Sequence, residues 1–278
     1  MDPRRPSHVA LWKLALALIV WTSGPAAAHG QEGGPEYDVV IRNGRVLDGA
    51  GNPWIRADVA IRDGRLARIG TVAGEGRREI DAAGLFVSPG WIDMMDQSGA
   101  VLLRNGLAEN KLRMGVTTAI GGEGGTPSLS APSEDRAPPA QEIPEYFARI
   151  EDEGISINFG TYYSETQARV RVLGYEDRPP TEAELEQMKT LMASAMEAGA
   201  LGMTTALIYP PSSYASTDEL VAMARVAGEL GGIYASHIRD EGQGLVEAVR
   251  EAIEIGERAG IPVEIFHFKA AYSPVGGP

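Results

Sequence analysis

Two histidines close short apolar runs that lie one βα repeat apart. Ile233-Tyr-Ala-Ser-His237 runs on into Ile-Arg-Asp-Glu-Gly242, and Pro262-Val-Glu-Ile-Phe-His267 into Phe-Lys269; a helix-terminating glycine precedes each run. If both runs are parallel strands with an amphipathic helix between them, the two imidazoles emerge at one edge of one sheet. That edge is where α/β barrels do chemistry, and a neutral imidazole there can point a nitrogen into the barrel mouth. Glu123 is a third candidate. It sits in Gly121-Gly-Glu-Gly-Gly125, directly after the apolar run 116–120, and its flanking glycines let the backbone come close to whatever the carboxylate holds. Either histidine alone reads more readily as a packed or surface residue, and the glycine-rich stretch alone as an acidic loop. Together, one carboxylate and two imidazoles with an open fourth position suit catalytic zinc. Zinc acidifies its bound water and polarises a carbonyl oxygen, so amide hydrolysis is the natural chemistry.

The elements that must position these residues are legible in the periodicity. Beyond Pro89, apolar runs alternate with helical patterns, which implies a parallel sheet. Strands are expected at 91–95, 116–120, 155–162, 201–207, 233–237 and 263–267. Pro144 suits the first position of a helix over 145–153. Thr181 with Glu184, and Ser216 with Glu219, read as capping boxes ahead of helices that end near Gly199 and Gly231. A fourth helix over 245–259 carries Leu245, Val249, Ala252 and Ile253 on one face and ends at Gly260. The Pro-, Ser- and acid-rich stretch 126–142 reads as a surface loop long enough to form a lid. Upstream, from Tyr37, short alternating runs are punctuated by Asn43-Gly44, Asp48-Gly49, Gly51-Asn52 and Asp63-Gly64. These are tight-turn signals of a small antiparallel β module.

Composition bounds the rest. The 278 residues are 44% apolar, with Gly 34 and Pro 18, enough for one large globular unit carrying a small one. Residues 1–28 read as a secretory signal peptide: Arg4, Arg5 and Lys13 precede an apolar run, and Ala26-Ala-Ala28 offers a cleavage site. The run is too short for the roughly 20 residues of a spanning helix. Export to the periplasm or the exterior is therefore expected, with 29–36 a flexible linker, 37–89 the β module and 90–278 the larger α/β unit. The full chain carries −13 and the mature chain about −15, which disfavours nucleic acid and anionic membrane as partners. With no cysteine there is neither a disulfide nor a thiolate for a metal.

Longer stretches carry a family resemblance. Tyr37-Asp-Val-Val-Ile-Arg-Asn-Gly-Arg-Val-Leu-Asp48, Asp81-Ala-Ala-Gly-Leu-Phe-Val-Ser-Pro-Gly-Trp-Ile-Asp93 and Gly115-Val-Thr-Thr118 resemble the amidohydrolase superfamily. Glu197-Ala-Gly-Ala-Leu-Gly-Met-Thr-Thr-Ala-Leu-Ile-Tyr209-Pro-Pro, the His237-Ile-Arg-Asp-Glu-Gly segment and His267-Phe-Lys269 are similar to its D-aminoacylase (N-acyl-D-amino-acid deacylase) branch. The match runs from about Tyr37 to Ala271. It implies a β-sandwich module on a distorted TIM barrel, and one tightly held zinc at the positions of Glu123, His237 and His267. Glutamate stands at Glu123 where the family has cysteine; it is an oxygen donor that zinc accepts but holds differently. The resemblance also implies that Tyr209 and Lys269 hold the carboxylate of an N-acyl-D-amino acid, for which a lysine is a sensible partner.

Two departures accompany it. Where the superfamily carries a His-x-His pair for a second metal, this chain has Met95 and Gln97, with Asp93 and Asp96 nearby; one zinc ion per chain is therefore expected. The family's catalytic aspartate lies on an eighth strand, whereas about six strands are legible here, so the fold expected is an incomplete TIM-like (β/α) barrel. The expected reading is a prematurely ended chain whose general base lies beyond residue 278. An open sheet has two edges, which favours self-association. The competing readings are a ring-opening hydrolase of the dihydroorotase or hydantoinase kind and a non-catalytic remnant.

Overall fold

The computed structural model describes residues 35–127 and 139–271, which separate into a small unit ending at Ser88 and a larger one beginning at Pro89. The segment read as a signal peptide lies outside the described residues, as do residues 128–138 of the expected lid. Among the described residues no helix is long and apolar enough to cross a membrane.

The small unit is one five-stranded sheet: β1 (Tyr37–Val46), β2 (Ile55–Arg62), β3 (Arg65–Gly70), β4 (Gly76–Asp81) and β5 (Phe86–Val87). Asp63 and Gly64, both at positive φ, make the tight turn between antiparallel β2 and β3, as their sequence requires. Asn43-Gly44 does not turn the chain. It forms a bulge within β1, where Asn43 has φ 62° and its N–H donates to Asp58 Oδ1 at 2.9 Å. Nor is the sheet wholly antiparallel, because β4 and β5 both run parallel to β1. The connection before β4 carries the chain back to the start side of β1, and β5 then follows in the same direction beside the end of β1, which alternation of apolar residues does not reveal.

The larger unit winds strands and helices alternately. β6 (Trp91–Asp96) leads through the short helices α1 (Gly99–Leu102) and α2 (Glu109–Arg113) to β7 (Val116–Gly121). After α3 (Pro139–Glu153) come β8 (Asn158–Thr161) and β9 (Tyr163–Ser164), then α4 (Glu165–Leu173), α5 (Glu182–Glu197), β10 (Gly202–Ala206), α6 (Thr217–Glu229), β11 (Ile233–His237), α7 (Leu245–Ala259) and β12 (Val263–Ile265). β6, β7 and β8 pair in parallel, and so do β9, β10, β11 and β12. β8 and β9 are one chain run interrupted at Tyr162, whose N–H donates to Gly121 O. The six expected strands are thus present in two parallel sheets, of three and four strands, with the run at 155–162 shortened and split between them. All strand ends that follow βα order face one edge.

Helix boundaries follow local chemistry with two exceptions. Thr181 and Glu184 form the full capping box of α5. Ser216 caps α6 by accepting from Glu219 N–H at 3.2 Å, but the Glu219 carboxylate turns away to Arg169, so the reciprocal half of that box is missing. Pro144 lies inside α3, which starts five residues earlier at Pro139; a first-turn proline fits there as well, and the earlier one sets the start. α4 has no clear apolar stripe and was not expected from periodicity. The packed interior of this unit is built from Met188, Met192, Met203, Leu220, Met223, Tyr234 and Ile255. Gly202, at φ 154°, opens β10 where a Cβ would lie 2.0 Å from Ile233 O, so the β10–β11 approach requires a glycine.

Candidate metal centre

Glu123, His237 and His267 converge at the ends of three elements of the larger unit. β11 ends on His237, a residue only 7% exposed, beside the β10 terminus. Glu123 leaves β7 through Gly122, at φ 115°, where a Cβ would come within 2.7 Å of Tyr162 O. Thr204 Oγ1 fixes this turn by donating to Gly122 O at 2.7 Å. His267 stands two residues beyond β12 rather than at its end, because the strand stops at Ile265 and His267 adopts φ 35°. This left-handed conformation is costly for most non-glycine residues and clusters at functional sites. It swings the ring back over His237, with centroids 4.4 Å apart and planes at 84°.

The three donor atoms form a small triangle. Glu123 Oε1 lies 3.0 Å from His237 Nδ1 and 3.3 Å from His267 Nε2, and the two nitrogens are 3.1 Å apart. Around a tetrahedral zinc with Zn–N and Zn–O bonds of 2.0–2.1 Å, ligand atoms lie roughly 3.3–3.4 Å apart. The observed edges fit one face of such a tetrahedron, and one carboxylate with two imidazoles is a donor set zinc takes. Among the described residues this is the cluster of three or more potential ligands able to hold an ion. Burial works to raise the Glu123 carboxyl, but hydrogen bonds from His237, Gln97 and His267 outweigh it and hold it below its ordinary range.

A cavity of about 300 Å³ opens over this face, lined by Met95, Gln97, Glu123, Gly124, Ala206, Tyr209, His237 and His267. Gln97 Nε2 donates to the second Glu123 oxygen, Oε2, at 2.5 Å, leaving Oε1 for the triangle. Tyr209 is exposed, with its ring 5.4 Å from that of His237. Lys269 stands just outside the lining, its Nζ 2.5 Å from Glu241 Oε1 and 3.1 Å from His267 Nδ1. Asp93 and Asp96 do not join the triangle. Both bind Lys111, at 2.5 and 2.6 Å, and Ser98 also donates to Asp96. Burial pushes the Asp96 carboxyl up, and Lys111 and Ser98 more than offset it, keeping the group below the usual carboxylate range.

Glu241 was not singled out from sequence. Its side chain is about nine-tenths buried, and Oε1 lies 3.0 Å from His267 Nδ1. The Arg-Asp-Glu segment after His237 carries three charges in a row, and nothing in their spacing says which one turns inward. Asp240 instead caps the following turn through Gly242 and Gly244, and Arg239 pairs with Glu251.

Comparison with known proteins bears on this geometry. The D-aminoacylase of Alcaligenes xylosoxydans xylosoxydans is 32% identical over 252 residues, 86% of this chain and 52% of that protein. The N-acyl-D-glutamate deacylase of the same organism is 33% identical over 245 residues, 84% of this chain and 50% of its own length. A solved D-aminoacylase structure, described as defining a novel subset of amidohydrolases, superposes with a TM-score of 0.73 over 84% of this chain and 52% of that one. The chain is similar to the D-aminoacylases of the amidohydrolase superfamily. It spans about half the length of the curated D-aminoacylase relatives it matches. The N-acyl-D-glutamate deacylase of Bordetella bronchiseptica, TM-score 0.73 at 33% identity, was solved with zinc and a phosphonate mimic of the tetrahedral intermediate. Another D-aminoacylase structure concerns a binuclear metal centre with one-metal activation and second-metal attenuation. A D-hydantoinase, at 19% identity and TM-score 0.51, shares the fold alone. No protein-family model matches the chain.

Proposed function

We propose that this chain carries the metal-binding portion of an N-acyl-D-amino-acid deacylase, with one zinc ion held by Glu123, His237 and His267. The observation that carries this reading is the 3.0–3.3 Å triangle of donor atoms at the mouth of a 300 Å³ cavity. When bound, zinc supplies a water of lowered pKa and a Lewis acid for the amide carbonyl. The chain's own residues do the rest. Gln97 holds one Glu123 oxygen so that the other faces the imidazoles. Tyr209, on the cavity wall, and Lys269, at its rim, anchor the substrate carboxylate, the lysine exchanging Glu241 for the incoming anion. Met95 and Ala206 give the cavity an apolar wall against which an acyl chain sheds water. Asp93 and Asp96 are both engaged by Lys111 and stand outside the triangle, which supports a single ion.

General acid/base assistance is worth roughly 10²–10⁴-fold, and no residue is assigned to it, so ligand binding is the sharper assay than turnover. The zinc-loaded chain is expected to bind N-acetyl-D-amino acids in preference to their L-enantiomers, and Lys269→Met to weaken that binding; titration calorimetry checks both. Equal binding of the enantiomers, or preference for a cyclic amide, would remove the deacylase reading. The signal-like pattern of residues 1–28 supports export as the setting.

A further inference from the structure

Tyr209 rides on the connection between β10 and α6. Its ring is exposed and meets that of His237 edge-on at 5.4 Å, so its place at the cavity is set by the backbone beneath it. That backbone is tightly turned. Ser213 N–H donates to Tyr209 O at 2.9 Å, and the single 3-10 turn Ser212–Tyr214 closes through Tyr214 N–H to Pro211 O and Ala215 N–H to Ser212 O, each 3.1 Å. The carbonyls of Ser213 and Ala215 point elsewhere, and both accept from one guanidinium. Arg239 Nη1 reaches Ser213 O at 2.8 Å, and Nη2 reaches Ala215 O at 3.0 Å. Arg239 is itself held by Glu251 of α7, which accepts from Nε at 2.8 Å and from Nη2 at 2.9 Å, the two-point pairing for which a guanidinium fork is shaped. Thr217 Oγ1, in the first turn of α6, donates to the same carboxylate at 2.9 Å. Arg239 lies two residues beyond His237, so one side chain joins the strand end that carries a metal-ligand position to the turn that carries Tyr209.

We propose that Arg239 is a positioning residue that fixes Tyr209 with respect to His237, and so sets the span between the metal position and the anchor for the substrate carboxylate. This deepens the deacylase reading above and rests on it for its functional meaning. In an N-acyl-α-amino acid the amide and the carboxylate are joined through one carbon, so their separation is nearly fixed, and an anchor held at the matching distance binds without first being ordered. Arg239 does not line the cavity; it acts through the turn. Lysine in its place keeps the charge opposite Glu251 but has no fork with which to span two carbonyls. Ser212 Oγ donates to Glu165 Oε2 at 3.0 Å and secures the turn independently, so the loss of Arg239 frees the turn to shift without unfolding it.

The test compares the parent chain with Arg239→Lys, Tyr209→Phe and Arg239→Lys/Tyr209→Phe. Two readouts are taken: ¹⁹F NMR of ligand-free protein labelled with 3-fluorotyrosine, the Tyr209 resonance assigned by its absence from Tyr209→Phe, and the affinity of the zinc-loaded chain for N-acetyl-D-alanine by titration calorimetry. In Arg239→Lys the Tyr209 resonance is expected to shift and narrow, while those of Tyr37 and Tyr146, remote in the chain from the turn, keep their places. Binding should weaken roughly 2–10-fold, the worth of one hydrogen bond to the ligand. The double variant should lose no more than Tyr209→Phe alone, because both changes remove the same contact; a merely structural role for Arg239 would give additive losses. Glu251→Gln, which weakens the hold on Arg239 while leaving it in place, should move the same resonance in the same direction, and serves if the lysine variant does not fold. An unmoved Tyr209 resonance, a general shift of all tyrosine resonances in both Arg239→Lys and Glu251→Gln, or additive losses in the double variant would each overturn the proposal. If the resonance moves as stated but the parent binds no N-acetyl-D-alanine, the deacylase reading fails and the placement of Tyr209 by Arg239 stands.

Discussion

Arg169→Met is expected to cost the fold about 3–5 kcal/mol, the range for breaking a buried ion pair by removing one partner. Arg169 is fully buried in α4. Nη1 reaches both oxygens of Glu219, at 2.7 and 2.9 Å, and Nη2 donates to Arg178 O at 2.5 Å. Glu219, in α6, is only 2% exposed at its side chain. Without the guanidinium, the Glu219 carboxylate would remain in the interior with no compensating charge, beside the buried carboxyl of Glu165. Methionine keeps most of the stem volume, so the loss reads the charge rather than a cavity. The urea midpoint should fall at unchanged slope. Converting Glu219 to leucine as well should recover much of the loss, since apolar replacement of a whole buried pair is often neutral or better. A loss below about 1 kcal/mol would mean that the pair is not sealed from water.

The same network makes Glu165→Gln a pH-dependent stabiliser. Burial, with the charge of Glu219 adding to it, pushes the Glu165 carboxyl up to about 8, against the partial offset of Ser212 and Arg169. The folded chain therefore keeps this proton to about pH 8, while the unfolded chain releases it near 4.5. Between those values the native state binds more protons than the unfolded state, so Glu165 lowers stability as pH rises, by at most ~1.4 kcal/mol per pH unit. Below that window Glu165 is neutral in both states and above it charged in both. Glutamine carries no titration. The variant should match the parent near pH 4.5, gain on it progressively up to about pH 8, and keep a constant lead beyond. Urea midpoints of the two proteins across that range check this, and parallel profiles would contradict it.

Much of the site was legible because strand ends are local. His237 and Glu123 each follow an apolar run that the sheet must bury, and the chain has nowhere to put the next polar residue except the edge. His267 was placed in the right group by the wrong geometry: the strand stops at Ile265, and a left-handed residue, rather than strand direction, brings its ring to the other two. Local signals failed where a charge is used in the interior. Glu165 and Arg169 carry no local signal of burial, since charges are rarely buried unless paired, Glu219 reads as half of a capping box, and the pairing spans 50 positions from Arg169 to Glu219. α4 was missed for the same reason, its inward face mixing Glu165 and Arg169 with Ala168 and Leu173. Glu241 was hidden among three consecutive charges whose directions depend on the turn after β11. In the small unit, Asn43-Gly44 carries the sequence of a turn and the structure of a bulge, because β1 continues through it to pair with β5.

These stability effects bear on the metal centre through shared elements. α4 and α6 pack beneath β10, and β10 carries the wall of the cavity at Ala206. Ser212, which donates to Glu165 at 3.0 Å, lies three residues beyond Tyr209. Weakening the buried network should therefore loosen the Tyr209 wall before it disturbs the Glu123 turn.

The central claim is that Glu123, His237 and His267 hold one zinc ion. Elemental analysis of the purified, extensively dialysed parent and of a folded Glu123→Ala/His237→Ala variant tests it most directly. One zinc per parent chain and none retained by the variant are expected; equal metal content in the two proteins would mean that these residues do not hold the ion.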